Sequence, residues 1–343
     1  MFNPKYQITP KILENIKRVA VITAELNGKK FPQIVLAELE KTARASSSHS
    51  STRIEGNPLP LSEVKRILTT RPEHLRDSEK EVLNYNQALE QLNPLIKNKT
   101  LQVDQKLVLE VHKIVTKALV ADFNCGSFRT SSVVVNNPTT GVIAYIAPQH
   151  QDVPNLVTEL IDFVSKNEQV LDPLILSGLF HKQFVIIHPF VDGNGRTTRL
   201  LTKVILARMG LDTFNLFSFE NYYNNNIAKY FEKVGILGDY YDACQHLDFT
   251  PWLEYFTDGV VDELLRVKAE LESVKTNPAN VIKPHQKKIM DYVAKHGYIT
   301  DADYSRLTPR AKATRALDFK HLLELGSIKR VGNGRATHYI LSS

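Results

Sequence analysis

Two apolar helical runs, at 173–188 and 196–209, are joined by a stretch that no helix can cross. Pro189 cannot continue the first run, and Gly193-Asn194-Gly195 lets the backbone turn tightly before the second. The apolar stretch around the first run also carries His181, Lys182, Gln183 and His188, so it is expected as a buried helix and not as a membrane span. The fold must therefore be organised around a buried helix, a short loop and a second helix.

The chain of 343 residues has an ordinary soluble balance, 43% hydrophobic and 23% charged, and is long enough for two or three domains. Its start, Met1-Phe2-Asn3-Pro4-Lys5, lacks the apolar core and cleavage site of a signal peptide. The two cysteines, Cys125 and Cys244, are far apart and lack metal-ligand spacing, which excludes a disulfide framework; a cytoplasmic protein is expected. Net charge is +6, but residues 283–343 hold 12 Lys+Arg against 5 Asp+Glu, and the remaining 282 hold 31 against 32. That asymmetry predicts two functional units with different partners.

The first ~110 residues read as helical. Phe31-Pro32 opens one segment with Ile34, Leu36, Leu39 and Ala43 at helical spacing, and Ser62-Glu63-Val64 opens another. Between them, the run 46–52 is serine-rich and on composition alone passes for a linker. Two β-prone runs, at 133–135 and 142–146, flank a turn-rich cluster at 136–141 and predict a hairpin. Asp152 and Pro154 open a helix with a stripe at Leu156, Leu160, Phe163 and Val164, and further helical pattern covers 218–234 and 251–271. After a linker at 273–284, three helices are expected within 285–343, the third opening at Thr308-Pro309 and running to about Leu325. Then comes a hairpin with a tight turn at Gly332-Asn333-Gly334. That order resembles a winged helix-turn-helix. Arg310, Lys312, Thr314 and Arg315 would open its recognition helix, and Arg330 and Arg335 would sit on its wing.

The loop between the two core helices concentrates the chemistry. Gly193-Asn194-Gly195 can point several N–H groups one way, and the helix beginning near Arg196 adds the positive end of its dipole. Arg196 and Arg199, three apart, share a face and can fork onto phosphate oxygens. Asp192 offers a hard carboxylate to Mg²⁺, and His188 titrates near neutral pH. Taken singly, these are a turn, a solvated helix face and a core histidine. Their coincidence within one short stretch points to nucleotidyl transfer.

The stretch resembles the signature of the Fic domain proteins, His-x-Phe-x-Asp/Glu-Gly-Asn-Gly-Arg-x-x-Arg, at 188, 190, 192, 193, 194, 195, 196 and 199. Gly126-Ser127-Phe128-Arg129 and Thr250-Pro251-Trp252-Leu253 resemble the family's approach to its flap and the closing segment of its helical bundle. The resemblance implies a mainly α fold: a Fic-type helical bundle with a small β-hairpin flap, followed here by the winged helix. Its implied segments are an N-terminal helical region at 1–109, a Fic core at 110–272, the linker and the C-terminal domain.

The implied activity is that of a protein adenylyltransferase, moving AMP from ATP to a Ser, Thr or Tyr hydroxyl. His188 would be the base, and Asp192 would hold Mg²⁺. Gly193, Asn194 and Gly195 would cradle phosphates, with Arg196 and Arg199 on their charge. Relatives that phosphorylate carry Lys at the position of Gly195, so glycine favours AMP transfer. A target protein, or a second copy of this protein, would pair with the flap at Gly141, Val142, Ile143, Ala144 and Tyr145. Ser51-Thr52-Arg53-Ile54-Glu55-Gly56 resembles the family's inhibitory motif, in which Ser51, Glu55 and Gly56 would form an N-terminal inhibitory helix and Glu55 would pair with Arg199. Removal of AMP by the same site, DNA or protein contact through the winged helix, and a homodimer all stay open.

Overall fold

The computed structural model describes every residue except Met1, 30–32, 98–101, 137–140, 209, 211–214, 277–281 and Ser343. The expected helix opening at Phe31-Pro32, the flap turn at 137–140 and residues 277–281 of the linker lie outside the described residues, as does the side chain of Arg335; the first residues of the expected linker, 273–276, are helical and continue the helix before it.

The chain divides into two compact units, one formed by Met1–Leu26 with Thr42–Leu265, the other by Asn27–Lys41 with Arg266–Ser343. In the first unit the order is α1 (Pro10–Asn27), α2 (Gln33–Ile54), α3 (Leu61–Thr70), α4 (Asp77–Lys97) and α5 (Gln105–Val115). Strands β1 (Val134–Asn136) and β2 (Ile143–Ile146) follow, then α6 (Val153–Asn167), α7 (Pro173–Ile187) and α8 (Asn194–Arg208). After these come α9 (Glu220–Asn225), α10 (Ile227–Val234), β3 (Gly238–Asp239), α11 (Tyr240–His246) and α12 (Thr250–Thr276), with α2 and α12 divided between the units.

The buried helix is α7. Asp172 caps it by accepting from the Leu174 amide at 2.9 Å, and Pro173 fills the first position. An apolar sequence on every face is a helix wrapped on every side. Leu176, Phe180, Phe184 and Ile187 pack with Leu200, Leu201 and Val204 of α8 and with Val108 and Val111 of α5 in one core. Trp252 of α12 closes the bundle, donating its indole N–H to the Gly178 carbonyl at 2.8 Å. The serine-rich run lies within α2, so it is helix and not linker.

Four expectations need correction. The flap is three-stranded, because β3 adds in parallel to β2 at Tyr145 and Ile146 beside the antiparallel β1–β2 pair. The helical pattern at 218–234 breaks at Asn226, whose non-helical backbone, at φ −148° and ψ 78°, ends α9 while its side chain caps α10 through the Lys229 amide at 3.0 Å. In the second unit, α13 (Pro284–His296) and α14 (Asp301–Leu307) stand as expected, but α15 (Lys312–Glu324) opens four residues after Thr308. Thr308 is extended and closes α14. Arg310 is then drawn to Asp318 at 2.9 Å, while its carbonyl accepts from Arg315 at 2.8 Å, which delays the helix. Finally, β4 (Ile328–Val331) and β5 (His338–Leu341) pair antiparallel without a tight turn. A two-residue type I′ turn needs φ above zero at both central residues; Asn333 is at φ −130°, and a short 3₁₀ turn at Gly334–Ala336 completes the connection. Ile289, Val293, Tyr304, Phe319, Leu322 and Ile328 form this unit's own core.

Candidate active site

His188 ends α7 in the left-handed region, at φ 49° and ψ 58°, with its amide still bonded to the Phe184 carbonyl at 3.2 Å. That conformation is costly for a residue with a Cβ, and it turns the chain sharply into the loop. The Val185 carbonyl lies 3.3 Å from Nδ1. A proton held at Nδ1 by that carbonyl leaves Nε2 with its lone pair. Burial lowers the His188 pKa, with the Val185 contact and the Glu55 charge opposing, so the neutral form is favoured.

The loop is shorter than expected, since α8 starts at Asn194 and, of Gly193-Asn194-Gly195, Gly193 alone, at φ 79°, takes a left-handed turn. A Cβ on Gly193 would sit 2.6 Å from the Thr116 methyl, so glycine is required for close approach as well as for the turn. The Asn194 side chain faces its own loop: its amide accepts from the Phe190 N–H and donates to the Phe190 carbonyl, each at 2.9 Å. Asn194 therefore braces the loop with its side chain, and only backbone N–H groups at the start of α8 are left to meet an anion.

Arg196 is buried between two carboxylates, with Nη1 2.7 Å from Glu81 and Nη2 2.7 Å from Asp192. Burial pushes the Asp192 pKa up, but Arg196 outweighs it through charge and hydrogen bond, and the carboxylate stays below its ordinary range. Half of the Asp192 side chain remains exposed at the loop. Glu81 in turn accepts from Asn57 at 2.7 Å, just past the end of α2.

Arg199 is wholly buried and claimed by α2. It donates to Ser51 Oγ at 2.8 Å, to the Ser51 carbonyl at 2.9 Å and to Glu55 Oε1 at 2.7 Å, with Tyr230 OH at 3.5 Å. Burial opposes its charge, and Glu55 more than restores it, holding the guanidinium firmly protonated. The Glu55 carboxylate also lies against Gly195, where any Cβ would collide with Oε1. Gly56, at φ 96°, then ends the helix. Upstream on α2, Ser46 and Ser50 donate to Asn221 at 3.0 and 2.8 Å, and Ser47 donates to the buried Glu220 at 3.0 Å.

The flap residues separate. Val142 and Ile143 are exposed, whereas Tyr145 is buried, donates to the Ile186 carbonyl at 2.7 Å and pairs with β3. Tyr145 is thus a support of the flap and not part of a docking edge.

Two site residues escape sequence reasoning. His112 stacks on Phe190 with ring centroids 3.6 Å apart; its Nδ1 accepts from the Gly126 amide and its Nε2 meets the Asp192 carbonyl, both at 3.0 Å. Burial lowers its pKa to about 4, so it is a neutral brace. Arg129 sits at the root of the flap with its guanidinium on the His188 carbonyl at 2.9 Å. Both bond mainly to backbone, which has no side-chain signature; only the Gly126–Arg129 likeness hinted at the second.

The profile of the Fic/DOC family matches residues 102–206. The "Protein adenylyltransferase Fic" of Aedes aegypti is 30% identical over 227 residues, covering 61% of this chain and 43% of the relative. The protein of the same name from Nematostella vectensis is 27% identical over 232 residues, covering 66% and 49%. The chain thus spans just under half the length of each. Among solved structures, a Fic family protein from Desulfovibrio desulfuricans G20 superposes with a TM-score of 0.66 at 21% identity, covering 100% of this chain and 99% of that one. Fic-1 from C. elegans gives 0.60 at 21% identity, covering 76% and 73%. With the signature loop, its two arginines and the surrounding bundle all in place, residues 102–206 are a Fic domain.

Proposed function

We propose that this chain is a protein adenylyltransferase that moves AMP from ATP to a Ser, Thr or Tyr hydroxyl of a protein, and that Glu55 holds it inactive. The observation that carries the reading is the convergence at the start of α8 of a proton acceptor, an anion site and an arginine already occupied by a carboxylate. The adenylyltransferase relatives support the same class.

In this reading the hydroxyl oxygen attacks the α-phosphorus, the bond to pyrophosphate breaks, and the hydroxyl proton passes to His188 Nε2. The N–H groups opening α8 and the Arg196 guanidinium hold the negative charge that develops on the phosphate oxygens. Arg199, once released by Glu55, takes the γ-phosphate. Asp192 suits Mg²⁺: it is ionised, exposed at the loop and held in place by Arg196. Among the described residues no three His, Cys, Asp or Glu side chains gather, so the ion's other ligands would be phosphate oxygens and water. Bound there, it would supply neutralisation of phosphate charge. A target strand would meet the flap at 141–144, where Val142 and Ile143 are exposed.

A second reading, removal of AMP, draws on the 28% exposure of the Glu55 side chain beside α8, where a carboxylate can orient water. The C-terminal unit fits a winged helix, but DNA reading by it loses two arginines: Arg315 pairs with Asp301 at 2.8 Å and Arg310 with Asp318. Purified protein with Mg²⁺ and α-labelled ATP, scored for labelled protein and released pyrophosphate, tests the transferase. Label that appears only after Glu55 is replaced supports it. Label lost faster from AMP-modified protein when Glu55 is intact supports removal.

A further inference from the structure

Arg129 is 2% exposed, and its hydrogen bonds run to backbone carbonyls. Nε donates to His188 at 2.9 Å, Nη1 to Ser131 at 2.9 Å and Nη2 to Pro148 at 2.5 Å. Its own amide donates to the Pro189 carbonyl at 3.0 Å. Ser131 precedes β1 and Pro148 follows β2, so these are the two feet of the flap. His188 is the non-glycine residue held at φ 49° at the end of α7, and that backbone turn presents its carbonyl to Arg129. One rigid, permanently charged fork therefore fastens both feet of the flap to the backbone of the imidazole-bearing residue. A lone bond to any of these carbonyls would be ordinary satisfaction of a buried group. Three from one planar group fix a distance between two elements that are far apart in sequence.

We propose that Arg129 is a positioning residue that sets the flap against His188, so that a hydroxyl carried by a strand on the flap arrives in line with Nε2. This rests on the transferase reading for its consequence, but not for its geometry. A lysine offers three donors from a single point and cannot span the same carbonyls, so it restores the link only in part. A methionine keeps the bulk and loses the link.

The test uses the full chain with Arg129→Lys and Arg129→Met, alone and combined with Glu55→Gly. Hydrogen–deuterium exchange of 131–136 and 141–148, and the ¹⁵N imidazole resonances of His188, are read without substrate. Self-labelling from α-labelled ATP and affinity for a fluorescent ATP analogue are read in the Glu55→Gly background. With Arg129→Met, exchange is expected to rise at both feet together and the His188 resonance to move. Label incorporation should fall about 10²-fold, the cost of roughly 1 Å of misplacement, while analogue affinity stays within about threefold. Arg129→Lys should fall between, and it decides the matter alone if the methionine variant does not fold. Unchanged flap exchange and His188 resonance in a folded variant overturn the proposal, as does a loss of analogue affinity matching the loss of label. If Glu55→Gly itself incorporates no label while the flap and His188 still respond, the transferase reading falls and the positioning of His188 stands.

Discussion

Arg199 has one guanidinium, and Glu55 holds it at 2.7 Å. In the proposed reaction it would also have to fork onto a γ-phosphate, so the carboxylate would have to leave before ATP is held in line. Glu55→Gly is therefore expected to raise AMP transfer in the labelling assay, and Glu55→Gly with Arg199→Ala to lose the gain; equal or lower labelling in the single variant sinks the inhibitory role. The same substitution leaves a buried guanidinium with Ser51 and Tyr230 as its remaining partners. A broken buried pair costs about 3–5 kcal/mol, less here because Glu55 is partly solvated. The Glu55→Gly protein should accordingly melt lower than wild type and regain more on adding ATP, which scanning calorimetry with and without nucleotide would show. His188→Ala should cut transfer by about 10²–10⁴ with the fold intact. Because burial lowers the His188 pKa, the base form already dominates at pH 6.5, and the acid limb of kcat/KM should lie below that; a limb above pH 7 would remove His188 from the role. At this scale the signature positions were legible, because residue types suited to phosphate stand there at a fixed spacing. His112 and Arg129 were not, because a backbone carbonyl looks the same in every sequence.

Helix α2 is held to the bundle at its C-terminal half by hydroxyls as well as by packing. Ser46 and Ser50 share Asn221, Ser47 meets Glu220, and Ser51 meets Arg199. Apolar residues in those places would bury more surface and hold the helix more permanently. If Glu55 is inhibitory as proposed, net hydrogen bonds of about 0.5–1.5 kcal/mol each would make a latch that opens in steps. Replacing Ser46 and Ser50 together by alanine should therefore raise basal AMP transfer up to about tenfold, less than Glu55→Gly does, and raise deuterium uptake across 42–56. Unchanged uptake with unchanged labelling would make the serine run mere surface for the helix to pack. Composition alone read this run as a linker, since serine is a weak helix former and no apolar stripe marks it; its partners on α9 are 170 or more residues away. The opening of α15 was misread for a related reason. Thr308-Pro309 has the form of a helix start, but Arg310, paired with Asp318, keeps the chain extended until Ala311.

Across the whole molecule, charge and chemistry sit in different places. The signature residues, the contacts of Ser51 and Glu55 with Arg199, and the flap belong to residues 42–265, which carry no excess of positive charge. The excess of +7 lies in 283–343, whose core of Ile289, Val293, Tyr304, Phe319, Leu322 and Ile328 is drawn from that segment alone. This division was legible from charge counting, because a net charge needs no contacts to be read. What the count could not reveal is how much of the charge is spent internally: Arg310 and Arg315 neutralise Asp318 and Asp301, while Lys312 and Lys320 stay at the surface. A chain ending at residue 282 should keep AMP transfer in the Glu55→Gly background within about threefold, since it retains every group proposed to meet phosphate and every group that touches His188. Any affinity for nucleic acid should vanish with the deleted segment. In the full chain it should weaken steeply with salt, because exposed lysines act through counterion release and not through base contacts. A mobility-shift series at rising salt, with the full and shortened chains side by side, decides it: a shortened chain that binds DNA as tightly at equal salt would place the nucleic-acid surface on the catalytic unit and end the division of labour drawn here.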